Sequence, residues 1–330
     1  MGRVPDLRSL NIVIATPAAR GSRKGNRITA LRWAGHLRAL RHHVRVVEAW
    51  DGQGCDLLVA LHATKSNPSV ERFRARRPDG PLIVGLAGTD LYQDLPSSPE
   101  ARRSLELATL VTVLQPLGIE ALPPEVREKA RSIVQSAHAA RPTPAPPDAF
   151  QICLLAHLRA VKDPFLGASA LRLLPARSRA RLVHLGAALD PGAEARARHE
   201  MAENARYVWL GERPHRAALG LLAGSQLLLV TSRLEGGSNA VSEALAAGVP
   251  ILSTQVDGSV GVLGADYPGY TPAGDAGALA SSLLRAEEDA GFMSALRRGV
   301  ERARPLVDPA REREAWRALL GELGLRSRPK

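Results

Sequence analysis

Residues 226–253 read QLLLVTSRLEGGSNAVSEALAAGVPILS. The apolar run Gln226–Thr231 has the length of a buried strand, and Val249–Ser253 is a second one. Between them Ser238 is a natural N-cap and Gly248 a natural helix stop, so the spacing predicts strand, loop, helix, strand. Gly236 and Gly237 allow close approach of a ligand to the backbone, and the N–H groups of a helix start favour phosphate oxygens. Glu243 falls in the first turns of that helix, where a carboxylate can accept hydrogen bonds from a ribose diol. Glu235 stands in the loop before it. Taken singly, Glu235 reads first as a surface loop acid and Glu243 as a helix-surface charge; the constellation is what singles them out.

The same strand-and-helix unit recurs in both directions. Upstream, Leu10–Ala15, Val44–Glu48, Asp56–Leu61, Pro81–Leu86, Leu110–Leu114 and Ser132–Gln135 are short apolar runs without clean in/out alternation. That is the pattern of a parallel sheet covered on both faces. After the first run, Ala30, Trp33, Ala34, Leu37 and Leu40 recur at three and four, one face of a helix. The stretch Arg141–Pro147 holds four prolines and reads as an extended linker. Beyond it the strand runs restart at Gln151–Leu155, Arg181–Leu185 and Tyr207–Leu210, and a helical pattern at Ala310–Leu323 closes the chain. The expected organisation is therefore α/β with two doubly wound, Rossmann-like domains facing a central cleft. The divisions are 1–146, 147–308 and a C-terminal helical segment, 309–330, that returns toward the first domain.

Composition narrows the function class. A chain of 330 residues with 45% hydrophobic content can bury two ordinary cores. Its apolar runs are far shorter than the ~20 residues of a membrane span, and Pro17 is reached without an apolar leader segment. Cys55 and Cys153, the two cysteines, stand alone in different domains, which fits a reducing, cytoplasmic setting and offers no metal spacing. The net charge is +11; up to Asp148 there are 21 basic and 14 acidic residues, an excess of +7, against 23 and 19 afterwards, an excess of +4. No acid occurs between Leu7 and Val47, a tract that holds nine arginines and lysines. Such a tract is either a solvated face or a site for anions. Aromatics make up 4% of the chain and do not interleave with it, which argues against nucleic-acid binding by base stacking.

Glu235-x7-Glu243 around Gly236-Gly237-Ser238-Asn239, between a strand and an Ala-Gly-Val-Pro helix end, resembles the donor-site signature of family-4 retaining glycosyltransferases of GT-B fold. The resemblance spans nearly the whole chain. It implies that Glu243 holds the nucleotide ribose, Gly236–Asn239 the diphosphate, and that Glu235 lies beside the donor sugar. Family members carry Gly-Arg-Leu and, four residues on, a lysine that binds the diphosphate. Here the stretch is Ala156-His157-Leu158-Arg159-Ala-Val-Lys162. Lys162 matches, His157 stands where the arginine is usual, and Arg159 lies two residues on; a neutral imidazole lacks the fixed forked charge of a guanidinium. In the first domain, Ala87-Gly88-Thr89-Asp90 resembles the family's His-Gly-Thr-Asp, with alanine for histidine; His62, at the end of the preceding strand, is one candidate to replace it, and a capped loop histidine is the other reading of that residue. No Asp-x-Asp occurs, so neither a bound metal nor a cofactor is expected, and Lys162 with Glu235 forms the candidate catalytic pair.

The loop Thr16–Arg27, with Arg23, Lys24, Gly25, Asn26 and Arg27 at its end, puts cations around glycines at a helix start. Together with His157–Pro164 and Gly261–Tyr270 it is similar to the selenosugar synthase branch of bacterial selenoneine biosynthesis. That likeness implies transfer from a UDP-sugar, UDP-N-acetylglucosamine, to selenophosphate, with Arg23–Arg27, Thr89 and Asp90 on the acceptor side. The expected partners are thus the nucleotide sugar and a small anion, with no nucleic acid and no stable membrane insertion. An O-glycosyltransferase acting on a lipid or saccharide hydroxyl is the alternative.

Overall fold

A computed structural model describes residues 9–22 and 25–325, and the chain divides into two units. The first comprises residues up to Gln135 together with Pro309 onward; the second is Ser136–Asp308. In the first, β1 (Asn11–Ala15), β2 (His43–Val47), β3 (Leu57–Leu61), β4 (Leu82–Gly85), β5 (Leu110–Val113) and β6 (Ala130–Ser132) form one parallel sheet in the order β2-β1-β3-β4-β5-β6. The weak periodicity of these strands has its cause in packing. Ile12 and Ile14 enter one buried cluster with Trp33 and Leu37, while Val13 and Ala15 enter another with Val70 and Phe73. Alternate side chains of β1 thus meet helices on opposite faces, whereas the edge strand β2 keeps His43 and Arg45 exposed.

The helix Gly25–Ala39 lies on one of those faces, with Trp33 fully buried. A Cβ on Gly85 in β4 would come within 2.7 Å of the Trp33 ring, so the strand can carry no side chain there. The helix Pro309–Glu322 joins the same layer: Trp316 stacks edge-on against Trp33 with ring centroids 5.0 Å apart, and His36 sits 3.1 Å from the buried carboxylate of Glu312.

In the second unit, β7 (Phe150–Leu155), β8 (Ala180–Leu185), β9 (Tyr207–Trp209), β10 (Leu227–Val230), β11 (Ile251–Thr254) and β12 (Tyr270–Thr271) form a parallel sheet in the order β12-β11-β10-β7-β8-β9. The order reverses at β7 and β10, which are hydrogen-bonded neighbours, and ligands of doubly wound sheets bind outside the carboxyl ends of strands at such a reversal. Short β12 was not expected from sequence, and β6 begins two residues before the expected run.

The proline run is extended but not a free linker. Thr143 N–H donates to Gly220 O at 2.8 Å, and a Cβ on Gly224 would meet Thr143 O at 1.7 Å. These prolines therefore pack along the helix His215–Ala223, and the division of the chain falls earlier, between Gln135 and Ser136. Among the described residues no helix is long and apolar enough to cross a membrane.

Trp316→Ala should destabilise the first unit by about 3–5 kcal/mol, the cost of emptying a fully buried aromatic site. Differential calorimetry checks this; an unchanged transition would detach the 309–322 helix from that core.

Candidate functional site

The loops that leave β7 and β10 carry the residues singled out in the second unit. Leaving β7, the chain runs through Ala156 and His157 to a 3-10 turn, Ala160–Lys162, and Asp163 follows in the left-handed region at φ 41°. Leaving β10, Thr231 donates from Oγ1 to Lys162 O at 2.8 Å, and Arg233 N–H donates to Val161 O at 2.9 Å. An ion pair between Arg233 and Asp163, 2.7 Å, ties the same two loops on the solvent side. The turn and the loop are thereby one framed unit, and their functional side chains meet inside it. Lys162 Nζ donates to Glu235 Oε1 at 2.5 Å, and Ser232 Oγ donates to the same oxygen at 2.7 Å.

Glu235 is buried, with 8% of its side chain exposed against 29% for Lys162. A Cβ on Gly258 would lie 2.4 Å from Glu235 O, so glycine at the start of the helix Asp257–Leu263 is what allows the acid's loop to sit there. Thr254, at the end of β11, closes the frame by donating to Ser232 O. An ammonium has three donors, so Lys162 keeps donor capacity for a phosphate oxygen while it holds Glu235.

Gly236 and Gly237 lead from this pair to Ser238, which caps the helix Asn239–Ala247 by accepting from Val241 N–H. The positive end of that helix is anion-seeking. Glu243 lies one turn further along it, 8% exposed, and receives His215 Nε2 at 2.8 Å. A carboxylate only accepts, so Nε2 carries the hydrogen. Burial, and secondarily the nearby Glu243, push the Cys153 thiol of β7 well up, so it stays protonated beneath the acid.

His157 is held through Nδ1 by a neighbouring loop. Its Nδ1 accepts Ala187 N–H at 3.0 Å, and a Cβ on Gly186 would meet Ala156 O at 1.8 Å, so this histidine locks the loop after β8 against the loop after β7. Behind it His184 is fully buried, and burial pushes its pKa down to about 4. Neutral, it donates from Nε2 to Ala156 O and accepts Tyr207 O–H at Nδ1, both at 2.9 Å. Arg159 is exposed, with its backbone N–H turned to His157 O.

The residues expected on the acceptor side belong to the first unit. Arg23 and Lys24 lie outside the described residues. Gly25 is exposed and Asn26 half-buried at the helix start, whereas Arg27 is 8% exposed and its buried Nε has no hydrogen-bond partner among the described residues. Asp90 is fully buried and its carboxylate accepts three backbone N–H groups, from Ala63, Ala87 and Gly88, at 2.9–3.1 Å. Those bonds make it a brace between the loops after β3 and β4, with Thr89 half-buried beside it. His62, buried after β3 with φ 81°, stands 3.9 Å from Asp90 and 4.0 Å from Asp94; burial lowers its pKa against the pull of Asp90. Among the described residues no group of three or more His, Cys, Asp or Glu side chains is placed to hold a metal ion.

Ser232, His215, Thr254 and Gly258 escaped the sequence reading. Only His215, directly after Pro214 at a helix start, carried a local signal; the others gain meaning from strand order alone.

No curated protein matches this chain in sequence. Among solved structures, Anabaena Alr3699/HepE in complex with UDP superposes with a TM-score of 0.73 at 16% identity, covering 94% of this chain and 100% of that one. The sucrose-phosphate synthase tll1590 from Thermosynechococcus elongatus gives a TM-score of 0.71 at 17% identity, covering 95% and 96%. A glycosyltransferase from Rickettsia africae ESF-5 gives 0.74 at 14%, covering 96% and 99%. At such identities the likeness establishes the fold, two parallel-sheet Rossmann-like units of GT-B type. The family model for glycosyl transferases group 1 matches residues 137–304, a span that takes in every donor-side residue described above and more than half of the chain, which therefore belongs to that family.

Proposed function

We propose that this chain transfers the sugar of a UDP-sugar, UDP-N-acetylglucosamine, to selenophosphate and so forms a selenosugar. The observation that carries the donor half is the clustering of Lys162, Glu235 and Glu243 around the capped start of the 239–247 helix. A diphosphate needs a cation and helix N–H groups; a ribose needs a carboxylate one turn further on; the spacing supplies both. HepE, similar in fold, has been crystallised with UDP and with UDP-glucose, and a pneumococcal O-GlcNAc transferase of 14% identity with UDP and GlcNAc.

In the proposed reaction a selenium lone pair of selenophosphate forms the bond to the sugar's anomeric carbon, giving a sugar selenophosphate ester whose Se–P bond water then cleaves, so that phosphate leaves and the selenosugar remains. The bond from that carbon to the diphosphate oxygen breaks, and UDP leaves with the electron pair. Lys162 and the helix start stabilise the charge that gathers on the departing phosphate, in a site where both are fixed beforehand. Glu235 holds Lys162 in place and lies beside the sugar. The anionic acceptor is supported by the basic tract and by Arg27, a buried cation whose Nε has no partner among the described residues; such a group gains from an arriving anion. The second reading, a hydroxyl acceptor, draws on the sucrose-phosphate synthase among the similar structures.

Incubation with UDP-N-acetylglucosamine and selenophosphate, followed by mass spectrometry, should reveal UDP and a selenium-containing sugar. UDP release that depends on a hydroxyl acceptor and ignores selenophosphate would establish the second reading instead.

Glu243→Gln should weaken UDP binding about tenfold or more, since hydrogen bonds to a charged group contribute about 1.5–3 kcal/mol. Titration calorimetry measures it, and unchanged affinity in a folded variant would remove Glu243 from the site.

Arg27→Ala should lower efficiency toward selenophosphate by about tenfold or more while UDP affinity stays within about twofold. Normal steady-state kinetics with selenophosphate would move the acceptor site away from this helix start.

A further inference from the structure

Glu243 lies on a rigid helix, but a glutamate has three rotatable side-chain bonds and no preferred aim of its own. Something must hold its carboxylate if two oxygens are to meet two ribose hydroxyls. The 2.8 Å contact from His215 Nε2 to Glu243 Oε1 does this from a neighbouring element. His215 is the first residue of the helix His215–Ala223, directly after Pro214, whose ring fixes the backbone before it. That helix packs on the 239–247 helix, and Thr143 pins its far end through Gly220. The donor nitrogen is therefore anchored independently of the glutamate.

The carboxylate can bear the extra partner. An ionised carboxylate offers about four lone-pair positions; His215 takes one on Oε1, which leaves room on both oxygens for a vicinal diol. His215 is the exposed member of the pair, with 59% of its side chain accessible against 9% for Glu243, so the imidazole stands at the rim and the acid inside.

We infer that His215 is a positioning residue of the nucleotide site, orienting Glu243 for the ribose; this rests on the UDP-sugar reading of the donor site. It assigns to His215 no contact with the reacting atoms. A fixed carboxylate binds the diol without first losing side-chain freedom, and that preorganisation is what the histidine supplies.

The test is a double-mutant cycle read by calorimetry with UDP and, separately, with inorganic pyrophosphate. His215→Ala and His215→Phe should each weaken UDP about tenfold and leave pyrophosphate within about twofold, because pyrophosphate needs only Lys162 and the helix start. His215→Gln, which keeps an N–H donor, should stay within about threefold of the parent. In a Glu243→Gln background, His215→Ala should have almost no further effect, the signature of two residues acting as one unit. Equal losses for UDP and pyrophosphate would mark a merely structural role. Tighter UDP binding in His215→Ala would make the histidine a competitor of the ribose, and either result overturns the inference, as would additive effects in the cycle. If Glu243→Gln weakens UDP and His215→Ala does not, this inference alone falls. If Glu243→Gln binds UDP like the parent, the donor-site reading itself falls.

Discussion

The pairing of β10 with β7 sets everything else in the second unit. Leu227 and Leu228 lie in register with Ile152 and Cys153, so two strands far apart in sequence end side by side with their carboxyl ends level. Because the strand order reverses between them, the chain leaves one strand toward β8 and the other toward β11, and a gap opens above the join. Into that gap the β7 side sends Lys162 and the β10 side sends Glu235. Neither side chain is placed by its own helix; both are placed by a ladder of backbone hydrogen bonds, which is why their 2.5 Å contact is framed by Thr231, Arg233 and Thr254 on every side.

A framed ion pair of this kind has a cost that clarifies its use. Holding a lysine and a glutamate together in a half-buried place contributes little net stability, because the desolvation of both ions offsets their attraction. The arrangement makes better sense as a reservoir of directed donors. Glu235 occupies one of the three ammonium hydrogens and fixes the direction of the other two, in the way His215 fixes Glu243 from outside. In both pairs the acid is the buried member and its partner the more exposed one. The site is thus set up before any ligand arrives, which favours interactions with charge that develops during transfer over interactions with the ground state.

Much of this was legible in the sequence, and the reasons differ from place to place. The strand–loop–helix at 226–247 was readable because Ser238, Gly248 and the apolar run are local signals that act within a few residues of one another. Ten of the twelve strands fall on the expected runs for the same reason; two-residue β12 is too short to leave a pattern, and the Ser132–Gln135 run meets β6 only at Ser132, its Ile133 lying in the buried cluster with Trp316. The proline run misled in the opposite sense: prolines announce extended backbone, but nothing local says that Thr143 between them will donate to Gly220. Asp90 and Arg27 show the limit most plainly. Both are charged residues near a strand end or helix start, identical in kind to residues that face solvent. Only the fold distinguishes them: it surrounds Asp90 with three backbone donors and leaves Arg27 buried with its Nε unanswered.

That contrast also orders the first unit chemically. Its basic tract reads as one feature in sequence, yet the structure divides it by burial. Arg38 donates to Val44 O and Arg45 to Gly54 O, so these cations secure turns around β2. Arg20 places its backbone N–H on Glu48, an acid supplied by the end of β2. Cations that already hold carbonyl oxygens gain less from a new anion than one that holds none, since an arriving oxyanion must compete with existing bonds for the former and relieves an unmet donor for the latter. By this argument the surplus of positive charge in the tract matters less than Arg27, a buried cation whose Nε has no hydrogen-bond partner among the described residues. On the proposed reading a compact oxyanion suits Arg27 better than an extended polyanion does, because the residue is only 8% exposed.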